Sequence, residues 1–366
     1  MPFCLNKCPY CDFYSCDDSM YLSEDYLAAL SAELCYYRDN FSPEYRTLYI
    51  GGGTPTSLNV KQLDSLFTRI YWLSDRKKMI EMTIEANPET ITEKNAKVLA
   101  ANLNRVSLGC QSFDDSMLKK LGRIHGAAAI LRAVKILRDC GIGNISLDLM
   151  FGLPGQTVAE ALADIKSAIE TGPSHISWYM LTPHENQPFR AMVSAGGGLP
   201  PDGETEEMYN EGVRKLEEAG YLQYEISNFA KPGAECLHNI NYWTMGEYVG
   251  VGASASSFFN GSRYTNVGDI REYIGRIARK EDPAMFSEKM TEENRLKEYI
   301  MLALRMKKGL VLETFKERFG FDFKDRYSNI IKKFVNEGLV KEDKKAVTLT
   351  VKGFLLSNRV ISGFFA

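Results

Sequence analysis

Met1-Pro2-Phe3-Cys4-Leu5-Asn6-Lys7-Cys8-Pro9-Tyr10-Cys11-Asp12-Phe13 is the stretch on which the reading of this chain turns. Its three cysteines stand as Cys4-x-x-x-Cys8-x-x-Cys11. Three thiolates on one short loop can cap three irons of a cubane cluster and leave the fourth iron open. An open metal position suits a reactive site, whereas a structural site is closed by a fourth ligand. Two other readings compete. Cys8-x-x-Cys11 is also a zinc-knuckle spacing, but zinc would want a second Cys or His pair nearby. Cys16 alone is a poor substitute, and no histidine precedes His125. Thioredoxin-type Cys-x-x-Cys chemistry needs a flanking strand and helix that do not read here. The spacing favours the cluster.

Working outward, the sequence alternates between helical periods and short apolar, β-branched runs. Helices are expected at 22–38, 60–72, 92–102, 115–121, 127–139 and 158–171. Strands are expected at 47–50, 82–85, 105–108, 145–151 and 175–181. Such alternation is the signature of a parallel sheet closed, or partly closed, by helices. Chemistry in such sheets collects at the carboxyl ends of the strands. Residues 188–201 read as a Gly-rich connection and 204–220 as another amphipathic helix. The composition shifts near Asp282-Pro283, and residues 291–366 carry 16 basic against 10 acidic side chains. Helical periods at 294–305, 312–319 and 324–338, then a hairpin at 339–342 and 346–350, suggest a winged-helix module. Nucleic-acid binding would be its functional reading. Its modest charge and the lack of a basic, polar recognition face favour a packing or lid role instead. The domain expectation is therefore 1–200 for the barrel, 201–285 for an extension and 286–366 for the module.

Polar motifs sit where strands hand over to loops. Gly51-Gly52-Gly53-Thr54 leaves backbone groups bare but lacks the Lys-Ser/Thr of a phosphate-binding loop. Glu85 follows the next strand, Gln111 the one after, Arg123 lies in a turn and Asp148 in Leu147-Asp148-Leu149. An acid, an amide, a base and an acid would suit a zwitterionic ligand that carries ribose hydroxyls. Gly250-Val251-Gly252-Ala253-Ser254-Ala255 fits a dinucleotide fingerprint, but it lies outside any clear βαβ unit and is set aside. His238, in His238-Asn239-Ile240-Asn241-Tyr242-Trp243, has two readings. It is either a structural histidine beneath a loop or an axial haem ligand walled by aromatics.

The whole chain is 366 residues with a net charge of −3, 45% hydrophobic and 25% charged. These are the proportions of an ordinary globular protein and not of a disordered or fibrous chain. The near-neutral balance counts against a dedicated DNA binder. No run approaches the roughly 20 apolar residues of a membrane helix. The first residues show no basic segment followed by an apolar run, so a cytoplasmic protein is expected. Of the eight cysteines, Cys35, Cys110, Cys140 and Cys236 are scattered singly and read as buried or solitary thiols.

The motifs together resemble a known family. The Pro2–Phe13 loop, the Gly51–Thr56 run, Gln111-Ser112-Phe113, Arg123 and Asp148–Pro154 are similar to the radical S-adenosylmethionine superfamily. More narrowly they resemble the branch of oxygen-independent coproporphyrinogen III oxidases and HemW-like haem chaperones. Cys11 is followed by Asp12 and Phe13, where the oxidases continue with Cys-x-Cys, and His238–Trp243 matches the chaperones' His-Asn-x-x-Tyr-Trp. The resemblance implies a partial (β/α)6 barrel of TIM type with a small C-terminal winged-helix-like domain. It implies a [4Fe-4S] cluster on Cys4, Cys8 and Cys11. It implies S-adenosylmethionine on Tyr10, Gly52, Gly53, Thr54, Glu85, Gln111, Arg123 and Asp148, and haem on His238. Delivery of haem to acceptor proteins, with respiratory proteins near the membrane as candidates, would be the function. A reductant for the cluster would be a further partner, and nucleic acid would not. Oxidative decarboxylation of coproporphyrinogen III is the alternative, and whether radical chemistry occurs at all stays open. Relatives place a strand carrying a Tyr and a His ahead of Pro-Phe-Cys. Here Met1 and Pro2 stand at that point, so the expectation is a barrel without its first strand and with an exposed edge.

Overall fold

Five short apolar runs become neighbouring parallel strands, the middle three almost wholly buried, and each partner is reached through a covering helix. The computed structural model describes residues 1–16, 19–182 and 187–365. In it β1 (Thr47–Ile50), β2 (Glu81–Ala86), β3 (Arg105–Gln111), β4 (Ile145–Phe151) and β5 (His175–Met180) run parallel in that order. Helix α1 (Ser23–Phe41) precedes β1, and α2 (Val60–Leu73), α3 (Glu93–Asn102), α4 (Asp115–Lys120), α5 (Ala127–Asp139) and α6 (Val158–Thr171) connect the strands. Three of these begin in capping boxes, Asn59 with Gln62, Thr92 with Asn95 and Thr157 with Glu160. The buried face of α6 repeats at Ala161, Asp164, Ile165 and Ala168, the spacing of a helix laid on a sheet.

Beyond β5 the sheet continues with two antiparallel strands, giving the order β1-β2-β3-β4-β5-β7-β6, where β6 is Leu222–Gln223 and β7 is Asn228–Ala230. Among the described residues the sheet does not close; β1 and β6 are its edges. It is a partial barrel of five parallel strands among the described residues, one fewer than the family pattern of six. The Met1–Phe3 segment lies beside the loop after β1, with Gly53 N–H donating to Met1 O (2.6 Å) and Thr54 N–H to Phe3 O (2.7 Å).

Residues 188–201 are not simply a connection. Helix α7 (Gln187–Ala195) occupies most of them, because Phe189 and Met192 are buried against Leu153 and Leu181. It leads to α8 (Asp202–Glu218) and, after β7, to α9 (Leu237–Trp243). An antiparallel meander follows: β8 (Ser256–Phe259), β9 (Ser262–Asn266) and, after α10 (Ile270–Ala278), β10 (Ala284–Lys289). It packs on α1, and here the Gly-x-Gly segment finds its use. Gly252 N–H donates to Glu33 Oε2 (2.9 Å) and Ala253 N–H to the Tyr26 hydroxyl (3.1 Å). A Cβ on Gly252 would lie 2.4 Å from that hydroxyl, so the glycine serves close packing.

The C-terminal part comprises α11 (Glu292–Ala303), β11 (Leu310–Val311), α12 (Leu312–Phe319), α13 (Phe323–Asn336), β12 (Val340–Glu342) and β13 (Ala346–Leu349), closed by α14 (Val351–Leu355) and α15 (Ser357–Gly363). Its sheet has the order β11-β13-β12. The expected helices and hairpin are present, with β11, α14 and α15 added. The module is tied to the barrel by Lys307 N–H to Tyr224 O (3.0 Å) and by Arg318 to Thr244 O (3.4 Å). Among the described residues no helix is long and apolar enough to cross a membrane.

Candidate functional site

Side chains alternate along a strand, so a barrel strand sends every second residue inward. In β3 the inward set is Arg105, Ser107, Gly109 and Gln111; β5 contributes Ser177 and Tyr179, and β1 contributes Tyr49. They line a cavity of about 480 Å³. Cys4, Cys8, Cys11, Tyr10, Gly52, Gly53, Thr54, Glu85, Gln111, Arg123 and Asp148, all singled out from the sequence, line this one cavity. His238 does not, although its neighbour Asn239 does.

The cysteine loop is pinned at both ends. Cys4 N–H donates to Cys16 O (3.1 Å) and Cys11 N–H to Cys8 O (3.1 Å), while Asn6 reaches Gly122 O (3.0 Å). From Cys4 a polar chain crosses the cavity wall. Its Sγ lies 3.5 Å from Thr54 Oγ1, which accepts from Asn87 Nδ2 (3.1 Å), and Asn87 Oδ1 accepts from Arg123 Nη1 (3.0 Å). The Arg123 guanidinium lies over the Tyr10 ring at 5.7 Å. Burial pushes the Cys8 and Cys11 thiols up, and Arg123 works against it. Gly53 is required at its place, since a Cβ there would meet Phe3 O at 2.6 Å and Cys4 Sγ at 3.1 Å. Among the described residues no three His, Cys, Asp or Glu side chains converge tightly enough for a single metal ion. Three thiolates of a cubane each bind a different iron and so stand apart, and the loop presents three sulfurs to the cavity, the donor such clusters take. The residues fit that group.

Each acid has its own surroundings. Glu85 accepts from the Tyr49 hydroxyl (2.8 Å) and Gly52 N–H (3.0 Å), and burial raises its pKa against those two hydrogen bonds. Asp148 lies in the middle of β4 and not at its end. It accepts from Ser107 (2.8 Å), Ser146 (2.9 Å) and Ser177 (2.7 Å), three hydroxyls that fix its plane. Gln111 adopts φ +66°, rare for a side chain other than glycine, where the β3–β4 register shifts. Asp164 on α6 holds the following turn, accepting from Phe113 N–H (2.6 Å) and Ser112 (2.8 Å). Arg123 belongs to the turn after α4 and reaches the cavity from the side.

His238 is built into the lower edge of this wall. Glu81, at the start of β2, accepts from the backbone N–H groups of Leu237 (2.8 Å) and His238 (2.9 Å) and so caps α9. Nδ1 of His238 pairs with Thr47 Oγ1 (2.7 Å) and Nε2 with the Tyr242 hydroxyl (2.7 Å). Its ring stacks on Tyr49 at 5.1 Å. Burial lowers its pKa to about 4, so the imidazole is neutral.

Sequence reasoning missed Tyr49, Asn87, Arg105, Ser107, Ser177 and Tyr179 as cavity residues. A signal existed, because a strand buried on both faces should be apolar throughout, yet β3 reads Arg105-x-Ser107-x-Gly109-x-Gln111.

Comparison with known proteins places these residues in context. The family model of the radical SAM superfamily matches residues 1–168, and that of the HemN C-terminal domain matches 290–356. The heme chaperone HemW of Bacillus subtilis is 37% identical, covering 100% of this chain and 97% of that protein. That of Lactococcus lactis is 35% identical, covering 100% and 95%. Among solved structures, coproporphyrinogen III oxidase (HemN) from Escherichia coli superposes with a TM-score of 0.86 at 22% identity, covering 100% of this chain and 88% of that one, a likeness of fold.

Proposed function

Because this chain belongs to the HemW family of the radical SAM superfamily, we propose that it binds haem, a [4Fe-4S] cluster and S-adenosylmethionine, and that it delivers the haem to acceptor proteins. The observation that carries the reading is the convergence of the three loop cysteines with Glu85, Gln111, Arg123 and Asp148 on one cavity, beside a neutral histidine.

Cys4, Cys8 and Cys11 would hold the cluster. Tyr10, Gly52, Gly53, Thr54, Glu85, Gln111, Arg123 and Asp148 would receive S-adenosylmethionine. When bound and reduced, the cluster supplies the electron that can cleave the sulfonium. The remaining work falls to the chain. Arg123, fixed by Asn87 and Tyr10, offers a buried cation to a carboxylate. Asp148, held by three serines, offers a preset acceptor to hydroxyl groups. Glycine at 52 and 53 lets the Met1–Cys4 segment close against this loop, since a Cβ at either place would meet Met1 O or Phe3 O. His238 can offer a neutral lone pair once Nε2 releases Tyr242, while Thr47 and Tyr49 keep the ring oriented.

Asp12 and Phe13 stand where the oxidases continue with Cys-x-Cys, which supports transfer of haem over oxidation of a porphyrinogen. We place the protein in the cytoplasm, a reading supported by the free cysteines. A reductant and an acceptor protein complete the proposal.

The test is anaerobic reconstitution with iron and sulfide, followed by titration with haem. A broad cluster absorbance and a saturable Soret band that weakens at least ten-fold in His238→Ala would support the chaperone. Cluster absorbance without haem binding, with coproporphyrinogen consumed and S-adenosylmethionine cleaved, would replace it with the oxidase.

A further inference from the structure

Arg105 opens β3 at the end of the cavity remote from the cysteine loop. It is only 2% exposed, yet it lines the cavity. From it to Gln111 is about 20 Å of strand at roughly 3.3 Å per residue. The cavity thus holds two guanidinium groups, one near each end. Arg123 is engaged with Asn87 and lies over Tyr10. The Arg105 guanidinium forms no hydrogen bond to any described residue, and its Nε is fully buried without an acceptor.

The nearby carboxylates are committed elsewhere. Glu81 accepts from Leu237 N–H, His238 N–H and the Cys236 thiol (3.3 Å). Glu85 serves Tyr49 and Gly52, and Asp148 serves three serines. Its Nε–H is therefore held in a buried place without an acceptor, and the rest of the fork shares the cavity wall. A buried cation left so is costly and rarely kept without a partner. What is missing is a planar anion with two oxygens, and a carboxylate is the group that matches a guanidinium fork. Two of the groups that act electrostatically on Arg105, Tyr49 and Glu81, also touch His238, through ring stacking and the His238 N–H, and not the cysteine loop.

We propose that Arg105 is the receptor for a carboxylate of the bound ligand, which at this end of the cavity is a haem propionate. The assignment to haem rests on the function proposed above; the assignment to a carboxylate does not. The cavity floor would then read the acid edge of the macrocycle while His238 reads its metal.

The experiment titrates full-length, cluster-reconstituted protein with haem and with haem dimethyl ester, which keeps the iron but removes both acids. It compares the wild type with Arg105→Gln and Arg105→Lys, and measures S-adenosylmethionine by equilibrium dialysis. The wild type should prefer the free acid on the order of ten-fold, the worth of one charge-assisted contact. Arg105→Gln should bind the acid as weakly as the ester, bind the ester as the wild type does, and leave S-adenosylmethionine unchanged. Arg105→Lys should keep part of the preference. A ten-fold loss confined to S-adenosylmethionine would also support the receptor and assign the carboxylate to that ligand. Equal binding of acid and ester by the wild type, with S-adenosylmethionine within two-fold in both variants, would overturn the proposal. Should Arg105→Gln fail to fold, the wild-type comparison and Arg105→Lys decide. A wild type that binds neither form of haem defeats the chaperone reading, and the dialysis alone then decides for or against Arg105.

Discussion

Tyr49 touches both ends of the site. Its ring lies against His238, and its hydroxyl donates to Glu85, whose other oxygen accepts from Gly52. Its two functions separate cleanly on removal of one atom. Tyr49→Phe keeps the stacking and leaves Glu85 short of a donor, which should cost about 1 kcal/mol of stability. In denaturant titrations that loss should appear without a change in the haem Soret band, while S-adenosylmethionine affinity falls several-fold. A Soret change of the same size would mean that the hydroxyl, and not the ring, positions His238. The sequence disclosed residues by motif, so Cys4, Glu85 and Asp148 were legible as chemistry. Tyr49, Ser107 and Arg105 were not, since inside a strand a polar residue declares itself only by its period. Once β3 is known to be covered on both faces, the polar alternation from Arg105 to Gln111 can mean only a lined interior.

At the level of elements, α9 shows how distant segments are joined. It has seven residues, too short to persist on its own, and its first turn is completed by a carboxylate from β2 more than 150 residues away. Glu81→Ala should therefore release α9, costing about 2 kcal/mol in denaturant titrations. Haem affinity should fall with it, as His238 loses the backbone that aims it. Glu81→Gln keeps one of the two acceptor oxygens and should recover part of both. Equal losses in the two variants would show that the charge opposite Arg105 matters, and not the cap. The long helices and the five parallel strands could be read from the sequence because local period and capping residues specify them. Helix α9 and strands β6 and β7 could not, since their pairing depends on partners far along the chain. The β8–β9 hairpin was within reach: Asn260 and Gly261 both take positive φ at its turn, and Asn-Gly between apolar runs is a strong hairpin signal.

Across the whole molecule, the C-terminal module is seated where β6 and β7 leave the sheet, and Glu225 lies at that seam, bridged through its backbone to Met306. It is fully buried, and the Asn228 side chain and the backbone N–H groups of 226–228 face its carboxylate without forming well-aligned hydrogen bonds. Burial pushes its pKa up to about 7, although Asn228 and the backbone N–H groups of 226–228 oppose that rise. The consequence for stability has a definite sign. Between about pH 4.5 and 7 the folded chain holds a proton that the unfolded chain has released, so stability falls as pH rises through this window and is flat above it. The shift corresponds to about 3 kcal/mol at most for this group. Glu225→Gln stays neutral at every pH and can donate to Asn228 Oδ1, itself buried without a partner. In unfolding measurements at pH 5 and pH 8, the variant should match the wild type at pH 5 and exceed it at pH 8. A constant difference at both values would show that Glu225 does not titrate in the folded chain. The predicted result would mean that alkaline conditions loosen the seam between module and barrel. Since Arg318 reaches Thr244 just beyond α9 from the module's side, the same loosening should weaken haem retention at pH 8 in the wild type and not in Glu225→Gln.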